Sequence, residues 1–353
     1  FSPYISRKFR NSKIDTMRKK HFLFASVLAL LCGSSTLHAQ DFKLTSSGYF
    51  KNQGVDVMAF DDIYPEGHQG GVCIIMNGHR VATNGDIRLE ATPGQWQPVP
   101  KQLDRKLGDN SITATLCYPD SSRHLTGFNP MIYPDLHLIY TVNVESKGKN
   151  IEVTVDLDRP IPQEFIGKVG FNLEFFPGSL FGKPWIMDGQ SGIFPQQPNS
   201  PLMTTQPNYL HTGNYHDGKK SLADMNKLIG KGYSPIVADD IISEPYAKGT
   251  KFTSRPDDPY NKVTIESLSG DLQLFDGRMN HNNGWFVLRS NIKPGVTKGA
   301  VKWIITPNVV ADWMYQPVIQ TSQIGYHPTQ DKEAVIEMDI RDNRKETAQI
   351  IRI

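Results

Sequence analysis

The feature that most limits what this chain can fold into is a two-residue hydrophobic period, repeated in run after run between Asp41 and Pro317. Ile112, Ala114, Leu116 and Tyr118 alternate with Thr113, Thr115 and Cys117. Leu138, Tyr140, Val142 and Val144 do the same, Ser146-Lys147-Gly148-Lys149-Asn150 turns the chain, and Ile151, Val153, Val155 and Leu157 return. Side chains in a strand point alternately to opposite faces, so this pattern is that of an antiparallel hairpin with one face in a core and the other in water. Further strands are expected over Asn261–Leu268, Asp271–Phe275, Gly284–Arg289 and Gly299–Thr306, the last closed by Pro307. Asn77-Gly78 and Asn84-Gly85 read as turn dipeptides flanking Arg80-Val81-Ala82. One short helix is expected where Ser221 can cap, Leu222, Met225, Leu228 and Ile229 share a face, and Gly230 and Gly232 end the element. Phe176–Tyr215 is rich in Pro, Gly, Gln and Asn and reads as an irregular region.

The expected fold class is therefore all-β, a large β-sandwich of about 270 residues. Its size resembles that of the galactose-mutarotase-like supersandwich. Two smaller sandwiches joined near residues 160–170 are the alternative.

The amino-terminal end reads differently. Met17 is followed by Arg18-Lys19-Lys20, then by the apolar run Phe22–Cys32, then by Thr36-Leu37-His38-Ala39 with a small residue at the cleavage position. That is a secretory signal peptide over residues 17–39, since a membrane span needs about 20 apolar residues. Residues 1–16 read as upstream translated sequence, and the mature protein is expected to begin near Gln40, outside the cytoplasm, secreted or periplasmic. The first 39 residues hold seven Lys/Arg and one Asp. Of the 38 basic and 36 acidic groups, 31 and 35 remain, so the mildly basic balance belongs to the leader. No dense basic patch with interleaved aromatics supports a nucleic-acid partner, and no later run reaches the length of a membrane span.

Phe171-Asn172-Leu173-Glu174-Phe175-Phe176-Pro177, then Phe181-Gly182-Lys183-Pro184-Trp185 and Asp188-Gly189-Gln190, form the most specialised segment. A sugar site needs an aromatic face for pyranose C–H groups, with carboxylates and amides for hydroxyls. Glu174, Trp185, Asp188 and Gln190 supply those types. The plainer alternative makes Phe171, Leu173 and Phe175 a core strand and Trp185 a plug at the end of the sandwich. His281, Asn282 and Trp285, in Asn280-His281-Asn282-Asn283-Gly284-Trp285, are a second set that a sugar or a simple hairpin would use equally well. Cys73 and Cys117 each lie in a strand-like run. In an oxidising compartment they could form a disulfide, worth about 4 kcal/mol for a loop of about 44 residues, or each could be a small buried side chain. The acidic pairs Asp61-Asp62, Asp239-Asp240 and Asp257-Asp258 lack the spaced oxygen ligands of a calcium loop, and His211 and His216 lack zinc-motif spacing. No nucleophile elbow or phosphate loop is present, so the sequence calls for no metal, no cofactor and no catalytic residue of its own.

Near the carboxyl end stands Gln320-Thr321-Ser322-Gln323-Ile324-Gly325-Tyr326-His327-Pro328, followed by Lys332 and the apolar alternation Ala334, Ile336, Met338. Gly325 can take a positive φ and Pro328 cannot donate to a ladder. This resembles the opening of the immunoglobulin-like domain that precedes the catalytic barrel of family 9 glycoside hydrolases, the cellulase-type enzymes. Gln323, Gly325, Tyr326, Pro328 and Lys332 fall on the motif, and Ser322 stands where the family has Asn. The resemblance spans about 17 residues and implies that residues 316–353 begin such a domain, after a sandwich over 40–315. An immunoglobulin-like sandwich takes about 100 residues, so the segment holds only its first part.

The resemblance further implies a non-catalytic front portion of a secreted hydrolase of β-glucan-type polysaccharides. Its partners would be a polysaccharide or oligosaccharide and the catalytic domain of the same chain. The alternatives are a stand-alone secreted carbohydrate-binding module and a mutarotase-like enzyme. Extending the genomic reading frame past Ile353 is expected to run into an α-helical hydrolase domain. An immediate stop codon would remove the hydrolase reading.

Overall fold

The computed structural model describes residues 41–61, 70–90, 92–93, 100–118, 136–196, 203–204, 242–279 and 284–343. The signal peptide and the helix expected at Ser221–Ile229 lie outside them. In chain order the strands are β1 (Lys43–Leu44), β2 (Phe50–Asn52), β3 (Val55–Ala59), β4 (Val72–Met76), β5 (His79–Leu89), β6 (Lys101–Leu107) and β7 (Ser111–Cys117). There follow β8 (Ile139–Lys147), β9 (Asn150–Leu157), β10 (Val169–Phe175), β11 (Pro184–Met187), β12 (Gln190–Ile193), β13 (Met203–Thr204), β14 (Ile242–Ser243) and β15 (Ala247–Gly249). The series closes with β16 (Lys251–Ser254), β17 (Val263–Ser267), β18 (Leu272–Asp276), β19 (Phe286–Asn291), β20 (Val301–Pro307), β21 (Val318–Gln320) and β22 (Val335–Glu337).

The protein is all-β, built on two nine-stranded sheets. The first runs β1-β2-β3-β4-β5-β10-β19-β18-β15 and the second β12-β11-β16-β17-β20-β9-β8-β7-β6. Neighbouring strands in both are antiparallel. The hairpin read from the alternation is β8–β9, with Val142 opposite Val155 and Val144 opposite Val153. Gly148, at φ 65°, makes its turn. The inward residues of this hairpin, from Tyr140 to Leu157, are all buried. Across the sandwich, Phe171 of β10 meets Trp303 of β20 edge-on at 5.0 Å between ring centres, and Phe175 meets Phe252 of β16 at 5.8 Å. These edge-to-face pairs combine large apolar burial with the geometry that ring quadrupoles favour.

Two smaller sandwiches joined near 160–170 are not what forms. β10 follows that joint, yet it pairs with β5 on one side and β19 on the other, so each sheet draws strands from both ends of the chain. The described part of the irregular region, after a short 3-10 turn at Pro177–Ser179, forms the hairpin β11–β12.

The two Asn-Gly dipeptides part ways. Asn77 and Gly78, at φ 52° and 82°, form the two-residue turn between β4 and β5, where positive φ at both positions matches the strand twist. Asn84-Gly85 is no turn. It lies inside β5 as a bulge: Asn172 opposes Asp86, but Glu174 opposes Thr83, so β5 carries one extra residue. A bulge bends the strand and re-aims a side chain. Gly85 is required here, because a Cβ would stand 2.6 Å from that of Val72.

The disulfide does not form. Cys73 sits on β4 of the first sheet and Cys117 on β7 of the second, and neither is in a disulfide. The Cys73 sulfur lies 2.9 Å from the Thr83 hydroxyl.

Edge strand β6 is largely exposed and interrupted by a bulge between Gln102 and Asp104. From it Arg105 crosses to the first sheet, donating to the Ala59 carbonyl at 2.8 Å and to Gly48 O at 2.6 Å.

Beyond the core, β21 and β22 pair as an exposed ribbon around the segment resembling the hydrolase motif. Gly325 takes φ 80° in a turn closed by its N–H to Ser322 O at 3.2 Å. The Tyr326 hydroxyl accepts from Ser322 N and donates to Glu333 O, tying the loop across its neck. Lys332 Nζ donates to the carbonyls of Gln330, Pro328 and His327 at 2.8, 3.1 and 3.4 Å. Because this ribbon buries no apolar face of its own, limited proteolysis of the mature chain is expected to trim it back to about Pro317 before the sandwich is cut. Equal resistance of ribbon and sandwich would refute a boundary there.

Candidate functional site

The face of the first sheet turned away from the second carries polar side chains on its central strands, and they are buried. On β10, Phe171, Leu173 and Phe175 point into the core, so Asn172 and Glu174 point the other way. On β19, Arg289 stands opposite Asn172 and Val287 opposite Glu174. One residue beyond the strands, Phe176 and Trp285 meet edge-on at 4.3 Å, both half-buried. A polar row thus ends in an aromatic pair.

At one end of the row, Arg289 Nη1 donates to Glu90 Oε1 and to Asn172 Oδ1, both at 3.1 Å. Its Nη2 donates to the Glu90 carbonyl at 3.1 Å and its Nε to Asn291 Oδ1 at 2.7 Å. Asn172 Nδ2 completes the ring of contacts, donating to Glu90 Oε1 at 2.6 Å. Gly170 leaves space for the guanidinium, since a Cβ there would come within 2.7 Å of Arg289 Nε. Toward the aromatic end, the bulge at Asn84 aims its amide so that Nδ2 donates to Glu174 Oε2 at 2.6 Å. Arg88 is buried close enough to be stabilised in its charged form by Glu174 above all, then by Asp86. Among the described residues Arg88 Nε and Asn84 Oδ1 are buried without a hydrogen-bond partner.

Burial shifts the carboxyls of this cluster. Desolvation pushes Glu90 up to about 7, with Arg289 and the Asn172 amide opposing it. Desolvation also lifts Asp86 to about 6, against the pull of Arg88 and the hydrogen bonds from Ile87 N at 2.7 Å and the Tyr140 hydroxyl at 2.9 Å. Tyr118 donates to the Ile87 carbonyl at 2.9 Å, and burial pushes both phenols well up. The cluster thus sets two carboxyls raised by burial beside the Glu174 carboxyl, the Asn84 and Asn172 amides and the Arg88 and Arg289 guanidinium groups.

Of the residues singled out from the sequence, Glu174 and Trp285 lie on this face, on β10 and just before β19. The others do not join them. Trp185 is on β11 of the second sheet, buried in the core over Gly192, where a Cβ would come 2.5 Å from the indole. Asp188 takes φ 45° in the β11–β12 turn and accepts from Thr250 N at 2.5 Å, the Thr250 hydroxyl at 3.1 Å and Lys251 N at 3.0 Å. Those hydrogen bonds, the Thr250 N–H first, hold its carboxyl below the usual range. Gln190 is exposed and donates to the Lys248 carbonyl at 2.9 Å. Asp188 and Gln190 fasten a hairpin, as Trp185 fills the core beneath it. His281 and Asn282 lie outside the described residues. Asn84, Arg88, Glu90, Asn172 and Arg289 carry no site role in the sequence reading, although Asp86, Arg88 and Glu90 alternate with Ile87 and Leu89 in a period-two pattern that marks a polar strand face. Among the described residues no cluster of three or more His, Cys, Asp or Glu is arranged to hold a metal, and no helix is long and apolar enough to cross a membrane.

No family model matches the chain, and no curated protein matches it. Similar solved structures include a protein of Synechocystis sp. PCC 6803, at 11% identity and TM-score 0.32 over 76% of this chain and 96% of that one. A galactose mutarotase-like protein from Lactobacillus casei aligns at 10% identity and TM-score 0.34, covering 73% of this chain and 98% of that one. A galactose mutarotase related enzyme from Lactobacillus acidophilus gives 10% identity and TM-score 0.32, over 73% and 96% of the two chains.

The raised carboxyls make stability depend on pH with a definite sign. Glu90 is near 7 folded and close to 4.5 when exposed, so the folded state binds the extra proton between those values. Its contribution is complete below the unfolded value and fades as pH rises through the folded one; Asp86 acts in the same direction from about 6. Denaturant unfolding is therefore expected to show stability falling from pH 5 to pH 7.5, with a shallower fall in Glu90→Gln. An unchanged slope in that variant would show that Glu90 does not titrate there.

Proposed function

We propose that this chain is the carbohydrate-binding, non-catalytic front portion of a secreted glycoside hydrolase of family 9 type, acting on β-glucan-type polysaccharides. The observation that carries the binding role is that Glu174, held by the Asn84 amide, lies on the sheet face where β10 and β19 run on into the Phe176–Trp285 pair. The half-buried rings offer aromatic surface for the C–H face of a pyranose, and the buried Glu174–Asn84 pair behind them fixes the strands that carry them. The hydrolase context is supported by the ordered loop around Gln323, Gly325, Tyr326, Pro328 and Lys332, where Tyr326 and Lys332 close the turn.

A mutarotase-like enzyme is the second reading, with Glu90 and Asp86, whose carboxyls burial raises, as its candidate acid–base groups. Sugar mutarotation at the uncatalysed rate in the purified protein would set it aside.

On affinity gels containing soluble β-glucan, the full chain is expected to be retarded, and Trp285→Ala to lose retardation several-fold with its melting unchanged. Retardation equal to wild type in that variant would refute the strand face as the sugar site.

A further inference from the structure

A cleft of about 720 Å³ opens at one end of the first sheet, between its β2–β3 and β4–β5 turns and the chain that follows the core. Its floor is shaped by two glycines. Trp313 lies over Gly54, where a Cβ would come 2.7 Å from the indole, and Tyr315 lies over Gly78, where a Cβ would stand 3.5 Å from the phenol. The two rings meet edge-on at 6.4 Å, and both remain half-exposed.

They are held from both directions along the chain. The Trp313 carbonyl accepts from Gln53 Nε2 at 2.6 Å and from Arg341 Nη2 at 2.5 Å. Tyr315 N donates to Asp339 Oδ2 at 3.0 Å, and Arg341 grips the same carboxylate at 2.8 Å. Aromatic surface fixed in this way loses little freedom when a ligand arrives. On the adjoining strands Lys51 and Asp56 are directly opposite each other. Asp56 is half-buried, its carboxylate accepts no hydrogen bond from the described residues, and burial raises the carboxyl while Lys51 opposes that.

We propose that this cleft binds a neutral oligosaccharide, with pyranose rings against Trp313 and Tyr315 and hydroxyls on Lys51 and Asp56. Three cations, Lys43, Lys51 and Arg341, face four carboxyls, Asp41, Asp56, Glu337 and Asp339, so charge is nearly balanced around the cleft and an anionic ligand finds no attraction there. Its volume lies in the range of about 300–1,000 Å³ usual for small-molecule sites. The site is separate from the strand face and rests on the reading above only for the kind of ligand.

Isothermal titration of the full chain with cellotriose tests it. Two sites are expected for wild type, one in Trp313→Ala, one in Lys51→Ala (a surface change that leaves the fold intact), and one in Trp285→Ala. Wild-type stoichiometry and affinity in both Trp313→Ala and Lys51→Ala would overturn the cleft and leave the strand face standing. Loss of all binding in Trp313→Ala, with no effect of Trp285→Ala, would support the cleft and remove the strand face. Absence of cellotriose binding by wild type would overturn both.

Discussion

Strand β10 is buried on both of its faces, and much of the molecule is arranged to meet that condition. One face is apolar and closes the sandwich through Phe171 against Trp303 and Phe175 against Phe252. The other presents Asn172 and Glu174, which water does not reach. A buried amide or carboxylate without partners costs several kcal/mol, so the flanking strands must bring partners to it. β19 does so with Arg289, β5 with the bulged Asn84, and the residue just past β5 with the Glu90 carboxyl. The bulge is thus no defect in β5. Without the extra residue, Asn84 would fall on the wrong face and Glu174 would lose its donor.

Such a network does not by itself make the fold more stable. Removing two charges from water costs about as much as their mutual attraction returns, and an apolar replacement of the whole set is often as stable. What it does is penalise every arrangement in which one partner is missing. Strand register is the quantity most exposed to error in a nine-stranded antiparallel sheet, because a one-residue slip exchanges its faces. A slip of β19 against β10 would strand Arg289, so the polar row acts as a register key on an otherwise apolar seam. The same groups, once satisfied, are rigid, which is the state in which a ligand-facing surface works best.

The sequence made the apolar half of this arrangement readable and hid the polar half. The β8–β9 hairpin and the core face of β10 follow from alternation alone, since one face buried and one wet leaves an unmistakable period of two. Glu174 and Trp285 were visible as unusual residues beside aromatics. Their partners were not, because Asn84 and Glu90 lie about 90 and 82 positions from the side chains they meet, and polar residues on a strand read locally as a solvated face. Asn84-Gly85 misled for a related reason. The dipeptide reports a preference for positive φ, which a turn and a bulge use equally, and only the pairing of neighbouring strands separates them. Trp185, Asp188 and Gln190 had the chemistry of a sugar site without its geometry. Their tasks, filling a core and closing a hairpin, also favour an indole and a short carboxylate.

Edge strand β6 carries one last implication. It presents Leu103 and Leu107 to solvent, about half-exposed, and by composition alone would invite a second strand to lie alongside. Yet Lys101, Asp104, Arg105 and Lys106 crowd the same ladder, the bulge at Gln102–Asp104 breaks its hydrogen-bond spacing, and Arg105 pins it to the opposite sheet. A neighbouring molecule would have to strip water from those charges and match an irregular ladder. The sheet is therefore finite at this edge for the same reason a crystal face stops growing when its next layer no longer fits, and crowding many copies together should not make them add strand to strand there.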